Sequence, residues 1–100
     1  MFRFQRSGRA KNGKLLEAIK WAKEIAEYIN SKYSQASFQV YIQVFGDMNT
    51  VYWCMEYKDL ATYESIRAQL LSDEGYWAFV GKGMEWFIEG SFQDTLLSLV

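Results

Sequence analysis

The sequence contains no histidine and only one cysteine, Cys54. Nucleophilic catalysis by a Ser/His or Cys/His pair is therefore excluded by composition. A single cysteine cannot form a disulfide within the chain, and nothing indicates an oxidising compartment. Because Cys54 falls in the middle of a predicted strand and has no neighbouring base, we expect it to be a small buried hydrophobe.

The chain also lacks long apolar runs and a charge of one dominant sign. No stretch approaches the ~20 apolar residues of a membrane span, and the first residues lack the apolar core of a signal peptide. The net charge of −1 gives no electrostatic reason for nucleic-acid binding. The acidic residues are scattered, so we expect no metal site. We also expect no cofactor. These absences predict a cytoplasmic protein that binds neither nucleic acid nor membranes.

What the sequence does contain is a large apolar content for its size. Its 100 residues predict a single domain, 1–100, with one core. Half of the residues are hydrophobic and 18% are aromatic. Either the core is unusually aromatic, or part of this surface is buried against a partner or a ligand.

A β-hairpin is predicted from Phe38 to Tyr57. Two runs rich in β-branched and aromatic residues flank the turn-forming residues 46–49, which is typical of a hairpin. Pairing about this turn predicts one apolar face, with the opposed pairs Val44/Val51, Ile42/Trp53, Val40/Met55 and Phe38/Tyr57. The other face is mixed, and its characteristic residues are Tyr41, Gln43, Phe45 and Tyr52.

The remaining elements follow from periodicity and capping signals. Alternation predicts a first strand over residues 2–9 with Phe2 and Phe4 inward, and a 3.6-residue period predicts a helix over residues 14–32. We expect Asn12 to cap that helix and Asp59 to cap a second helix that ends at Leu71. A short aromatic helix at 76–80, a left-handed glycine cap at 81–83 and a last strand around 87–97 complete the prediction.

The predicted order is strand, helix, strand, strand, helix in two pieces, strand. Split βαβ units of this kind predict an α+β fold, the ferredoxin-like βαββαβ sandwich with a four-stranded antiparallel sheet and helices on one face. The mixed face with Tyr41, Gln43, Phe45 and Tyr52 would then remain bare. Because this is more exposed aromatic surface than monomers usually carry, we expect a homodimer through that face.

Three segments resemble a known superfamily. They are residues 9–18, which run from a strand into a Gly-Lys helix start, residues 57–64, and residues 72–77 with the later Glu89-Gly-Ser. Together they are similar to the dimeric α/β-barrel superfamily, in particular its NIPSNAP-like and antibiotic-biosynthesis-monooxygenase-like members. The resemblance implies that two sandwiches form a dimeric α/β barrel and that small ligands sit between sheet and helices. Superfamily members include cofactor-free oxygenases and proteins of unknown role.

An aromatic pocket between the sheet and the helices is therefore the candidate site. The residues expected to bind a ligand are Phe4, Phe38, Trp53, Met55, Tyr57, Tyr63, Trp77, Phe79 and Trp86. The polar groups expected to orient it are Tyr57, Tyr63, Gln5 and Arg67. No catalytic residue is identified.

Three hypotheses about function remain open. The protein is a dimeric small-molecule-binding protein for an aromatic, polyketide-like or fatty ligand, or a cofactor-independent monooxygenase-like enzyme, or a structural homodimer without ligand. A buried tyrosine or arginine aimed at the pocket centre would favour catalysis, and a purely apolar pocket would favour binding. Rings that leave no cavity larger than a water would favour the structural dimer.

Overall fold

Strands and helices follow one another in the predicted order. The computed structural model describes all residues from 1 to 100. Its elements are β1 (Phe2–Arg9), α1 (Leu15–Lys32), β2 (Gln39–Ile42), β3 (Thr50–Tyr57), α2 (Leu60–Leu71), α3 (Glu74–Gly83), a 3-10 turn (Met84–Trp86) and β4 (Gln93–Ser98). The prediction of a second helix in two pieces is confirmed as α2 and α3.

The four strands form one antiparallel sheet in the order β2-β3-β1-β4, and the ferredoxin-like fold is confirmed. Neighbouring side chains along a strand point to opposite faces. Phe4, Val51 and Trp53 accordingly face the helices and join the core. The helix-free side, here called the back face, is formed by Arg3, Gln5, Ser7, Arg9, Gln39, Tyr41, Tyr52, Cys54, Glu56, Gln93, Thr95 and Leu97.

Helix α1 supplies the largest share of the apolar cover. Its buried stripe is Ala18, Trp21, Ala22, Ile25, Ala26 and Ile29, and its charged residues stay in solvent. The predicted N-cap at Asn12 is wrong. The helix begins after Lys14 without a side-chain cap, and the Asn12 Oδ1 atom instead accepts a hydrogen bond from Asn49 Nδ2 at 3.3 Å. None of the helices combines the length and the apolar character that a membrane crossing needs.

The hairpin forms, but its predicted register is wrong. Val51 lies opposite Ile42 rather than Val44, and Trp53 lies opposite Val40 rather than Ile42. The strand pairing ends at Ile42, and one more hydrogen bond joins the Gln43 amide to the Thr50 carbonyl at 3.1 Å. The chain then turns through Gly46, which has a φ of 89°, and the Asp47 carboxylate accepts from the Asn49 amide. Because the shift is an even number of residues, each side chain keeps its predicted face.

Each of the two later helices is capped at its N-terminus by a short polar side chain. Asp59 accepts from the Thr62 amide at 2.8 Å, which confirms the predicted cap of α2, and Asp73 accepts from the Tyr76 amide at 3.1 Å at the start of α3. The predicted left-handed cap at 81–83 is wrong, since Gly83 has a φ of −108°.

The last strand is shorter than predicted. Phe87 forms only an isolated bridge with Ala10, and Gly90, with a φ of 77°, turns the chain before regular pairing starts at Gln93. The segment from 87 to 92 is therefore a lead-in to β4 and places Phe87 in the core.

Candidate ligand-binding site

A cavity of about 530 Å³ lies between the helix-covered face of the sheet and the three helices. The sheet and its connections contribute one wall, and α1, α2 and α3 contribute the rest. Its lining is Phe4, Arg6, Trp21, Ile25, Ile29, Phe38, Trp53, Tyr57, Tyr63, Ile66, Arg67, Leu70, Leu71, Tyr76, Trp77, Val80, Met84, Phe92 and Asp94.

Aromatic rings form the apolar part of this cavity. Trp21 and Trp53 meet edge to face with their ring centroids 5.7 Å apart, and Phe4 meets Phe38 in the same way at 6.2 Å. The indole N–H of Trp21 donates to the Phe79 carbonyl at 2.7 Å, and that of Trp53 donates to the Ala22 carbonyl at 3.1 Å. Since both indole donors are already bonded, this part of the cavity offers a ligand only apolar contact.

The lining also contains an ion pair between Arg6 and Asp94. The Nε and Nη2 atoms of Arg6 donate to the two carboxylate oxygens of Asp94 at 2.7 and 2.9 Å. A third donor, Arg6 Nη1, reaches the hydroxyl oxygen of Tyr76 at 3.2 Å. The hydrogen bonds from Arg6 hold the pKa of Asp94 below its ordinary value, and the same pairing raises the pKa of Arg6. Both groups therefore remain ionised and joined at neutral pH.

Two tyrosine hydroxyls in the lining have no partner within the protein. Tyr57 is 3% exposed, and its ring meets that of Tyr63 edge to face at 5.4 Å. No fully enclosed side-chain oxygen lacks a hydrogen bond, so these hydroxyls keep access to open space, and they line the cavity. The pKa of Tyr57 is raised to about 12, mainly by burial and to a smaller extent by the neighbouring Tyr63. Its hydroxyl is thus a neutral donor at physiological pH.

Arg67 completes the polar part of the lining. It lies one helical turn after Tyr63, so both side chains are on the same face of α2. Its positive charge helps to lower the pKa of Asp94, yet Arg67 makes no ion pair or hydrogen bond of its own. Its side chain is solvent-exposed, which places it at the rim of the cavity.

The sequence profile of NIPSNAP matches residues 6–100. The chain belongs to the NIPSNAP family. A search of curated proteins found no match.

Solved structures share the fold of this chain. An uncharacterized NIPSNAP domain protein from Burkholderia xenovorans has a TM-score of 0.82 at 22% identity, with 100% of this chain and 95% of that chain covered. A NIPSNAP family protein from Agrobacterium tumefaciens has a TM-score of 0.79 at 19% identity, with 99% and 92% covered. A structure described as an antibiotic biosynthesis monooxygenase has a TM-score of 0.73 at 13% identity, with 100% and 99% covered. The superfamily resemblance is confirmed, and at these identities it concerns the fold alone.

The NIPSNAP fold brings many of the predicted site residues together. The residues of the predicted set that line the cavity are Phe4, Phe38, Trp53, Tyr57, Tyr63 and Trp77. The other three lie elsewhere. Met55 is buried in the core, where its sulfur accepts from the Ser37 amide, Phe79 packs on Tyr28, and Trp86 packs against the core in the 3-10 turn.

Of the predicted orienting groups, Gln5 is misplaced. It sits between Phe4 and Arg6 along β1, and alternation sends it to the back face opposite Cys54. Arg6, Tyr76 and Asp94 are among the lining residues that were not predicted. Arg6 is two residues after Phe4 in β1, so strand alternation points it to the same helix-covered face as Phe2 and Phe4. This alternation could have predicted its position in the cavity. Nothing in the sequence pairs it with Asp94, which is 88 residues away.

Proposed function

We propose that this NIPSNAP protein is a dimeric small-molecule-binding protein whose cavity holds an apolar ligand of aromatic, polyketide-like or fatty chemistry. The observation that carries the proposal is the cavity of about 530 Å³ with its aromatic lining. Ligand pockets of roughly 300–1,000 Å³ accommodate drug-sized molecules. The rings leave a cavity far larger than a water, which speaks against the ligand-free structural dimer. Its apolar surface would contribute affinity of ~25 cal/mol for each Å² buried.

Binding of the neutral apolar dye phenylnaphthylamine tests this proposal. Val80 lies in the lining, and Ala78 lies on the exposed side of the same helix, α3. We expect saturable binding by the wild type, a loss of affinity of about tenfold or more in Val80→Trp, which fills the cavity, and wild-type affinity in Ala78→Trp. Absence of saturable binding by the wild type, or equal affinity in both variants, would contradict the proposal.

A cofactor-independent monooxygenase-like activity is the second candidate, and the free Tyr57 hydroxyl favours it. In such a reaction an activated methylene of an aromatic ketone becomes a carbonyl: one atom of O₂ becomes the carbonyl oxygen, the other leaves as water with the two methylene hydrogens, and the substrate itself supplies the electrons. Tyr57 would donate a hydrogen bond to the enolate formed on the way. Asp94, the one carboxylate in the lining, is held by Arg6 and is a poor proton acceptor. Binding without chemistry is therefore the first choice.

Oxygen consumption with an anthrone-type ketone separates the two candidates. The binding proposal predicts no enzyme-dependent O₂ uptake. The oxygenase proposal predicts uptake with one carbonyl formed per O₂ consumed, and a rate about tenfold or more lower in Tyr57→Phe.

The dimer is proposed through the back face of the sheet, around Tyr41, Gln43, Phe45 and Tyr52. Tyr41 and Tyr52 lie directly opposite each other there, and the Tyr52 hydroxyl donates to Gln43 Oε1 at 2.8 Å. Phe45 is 89% exposed in the hairpin loop beside them. Burial of about 800 Å² per subunit would be ordinary for such a contact. A cytoplasmic location, expected from the lone cysteine, remains part of the proposal.

A further inference from the structure

The cavity has different chemistry at its two ends. Several of the buried rings that line its interior have no free hydrogen-bonding group, among them Trp21, Trp53 and Phe38. Its three charged residues are Arg6, Arg67 and Asp94, and their side chains are partly or largely solvent-accessible. A ligand that fills the cavity therefore meets apolar surface inside and charge at the rim.

The charges at the rim do not cancel. Arg6 and Asp94 neutralise each other through two hydrogen bonds of 2.7 and 2.9 Å. Arg67 has no such partner, and one positive charge is left over. The nearby hydroxyls of Tyr57 and Tyr63 are unpartnered donors. The free groups along this side of the lining consequently include a guanidinium but no unpaired carboxylate.

We propose that the ligand is an amphipathic anion: an apolar body with one carboxylate or ionised enol group, the body enclosed by the aromatic interior and the anionic group bound by Arg67 at the rim. This inference rests on the proposed binding function. A planar guanidinium recognises a carboxylate or enolate through parallel N–H donors, which gives orientation as well as affinity. A cationic ligand would instead be repelled by the unpaired guanidinium of Arg67, and a neutral one would leave Arg67 unused.

Matched ligands that differ only in the head group test the inference. Dodecanoate and dodecanol, each below the concentration at which it aggregates, would compete with bound phenylnaphthylamine in low-salt buffer at neutral pH. The variants are Arg67→Gln, Arg67→Lys and, as a control with the same loss of charge, Lys20→Gln on the exposed face of α1. Because Arg67 and Lys20 are exposed, all three variants should fold.

We expect dodecanoate to bind the wild type about tenfold more tightly than dodecanol, the ratio that corresponds to ~1.4 kcal/mol. The ratio should fall to about one in Arg67→Gln, survive in part in Arg67→Lys, and be unchanged in Lys20→Gln. Equal binding of acid and alcohol by the wild type would overturn the anionic assignment and leave the binding function intact. A preference that persists in Arg67→Gln would overturn the role of Arg67. Failure of the dye and of both competitors to bind would remove the binding function itself.

Discussion

At the scale of single residues, the contact between Gly83 and Trp21 shows how closely α3 approaches α1. A side chain at Gly83 would overlap the indole ring of Trp21. That ring is fixed on its other sides by Trp53 and Phe87, with centroids 5.7 and 5.4 Å away. Glycine is needed here because of this approach, since its φ of −108° is open to any residue.

Alanine substitutions at two glycines of α3 should change the free energy of unfolding in opposite directions. Gly83→Ala should lower the free energy of unfolding by about 1–3 kcal/mol, because the buried Trp21 ring cannot move aside without strain. Gly81→Ala should raise it by about 0.5–1 kcal/mol, because nothing lies within 4 Å of the added methyl and alanine is the better helix former. Urea unfolding of the two variants measures both changes. Equal effects would contradict the close packing of α3 on α1.

At the scale of elements, a buried carboxylate at the start of α3 links this helix to α1. The Asp73 side chain is 2% exposed and accepts hydrogen bonds from the hydroxyls of Tyr28 at 2.9 Å and Tyr33 at 2.5 Å. The ammonium group of Lys32 lies 3.0 Å from it, and the Tyr76 amide donates at the start of α3. These interactions hold the pKa of Asp73 far below its ordinary value, and the hydrogen bond from Tyr33 has the largest effect.

A pH dependence of stability follows from this cluster. A carboxyl group with a lowered folded-state pKa stabilises the protein above its unfolded pKa, near 3.8, and loses that contribution as the pH falls toward the folded value. The thermal midpoint of Asp73→Asn should thus lie well below that of the wild type at neutral pH, and the gap should shrink at about pH 3. Glu64→Gln on the exposed surface of α2 is the control and should show little gap at either pH. A gap for Asp73→Asn that stays constant with pH would contradict the ionised cluster.

The elements also show what local patterns can predict. Periodicity and capping residues gave α1, the cap of α2 and the faces of the hairpin, because these depend on near neighbours in the sequence. The hairpin register depends on the loop between the two strands, where Asp47 forms an ion pair with Arg9 of β1. That contact joins distant parts of the chain, and the turn residues alone do not reveal it.

At the scale of the whole molecule, the sheet has helices on one face only. The back face carries Tyr41 and Tyr52 beside polar groups such as the Arg3–Glu56 ion pair. Cys54 is half-buried on this face rather than buried in the core as predicted, and its partial burial raises the pKa of its thiol. A second subunit would remove the aromatic rings from water while leaving the helix-covered cavity unaltered.

Charge placed in this face should separate the proposed dimer. Tyr52→Glu and Tyr41→Glu each set a carboxylate at the centre of the contact, where it would be desolvated without a partner. Sedimentation velocity should show a dimer for the wild type and a monomer for both variants. Lys20→Glu on the outer face of α1 should remain dimeric. Dimeric Tyr52→Glu and Tyr41→Glu would place any interface elsewhere.

The cavity was only partly predictable at this scale. Six of its nine aromatic lining residues were predicted, because strand alternation and helical stripes sort rings inward. Arg67 at its rim was predicted, but the Arg6–Asp94 pair was missed because these two residues meet only when β1 and β4, at opposite ends of the chain, pair in the sheet. An open cavity is itself a property of the assembled packing, which no local pattern encodes.

Native mass spectrometry of the protein purified from its own cells tests the central claim most directly. If the cavity holds an apolar ligand, the wild type should carry a defined extra mass that is released on unfolding, and Val80→Trp, with its cavity filled, should lack it. A wild type whose mass is that of the polypeptide alone, or an extra mass that Val80→Trp retains, would contradict the account.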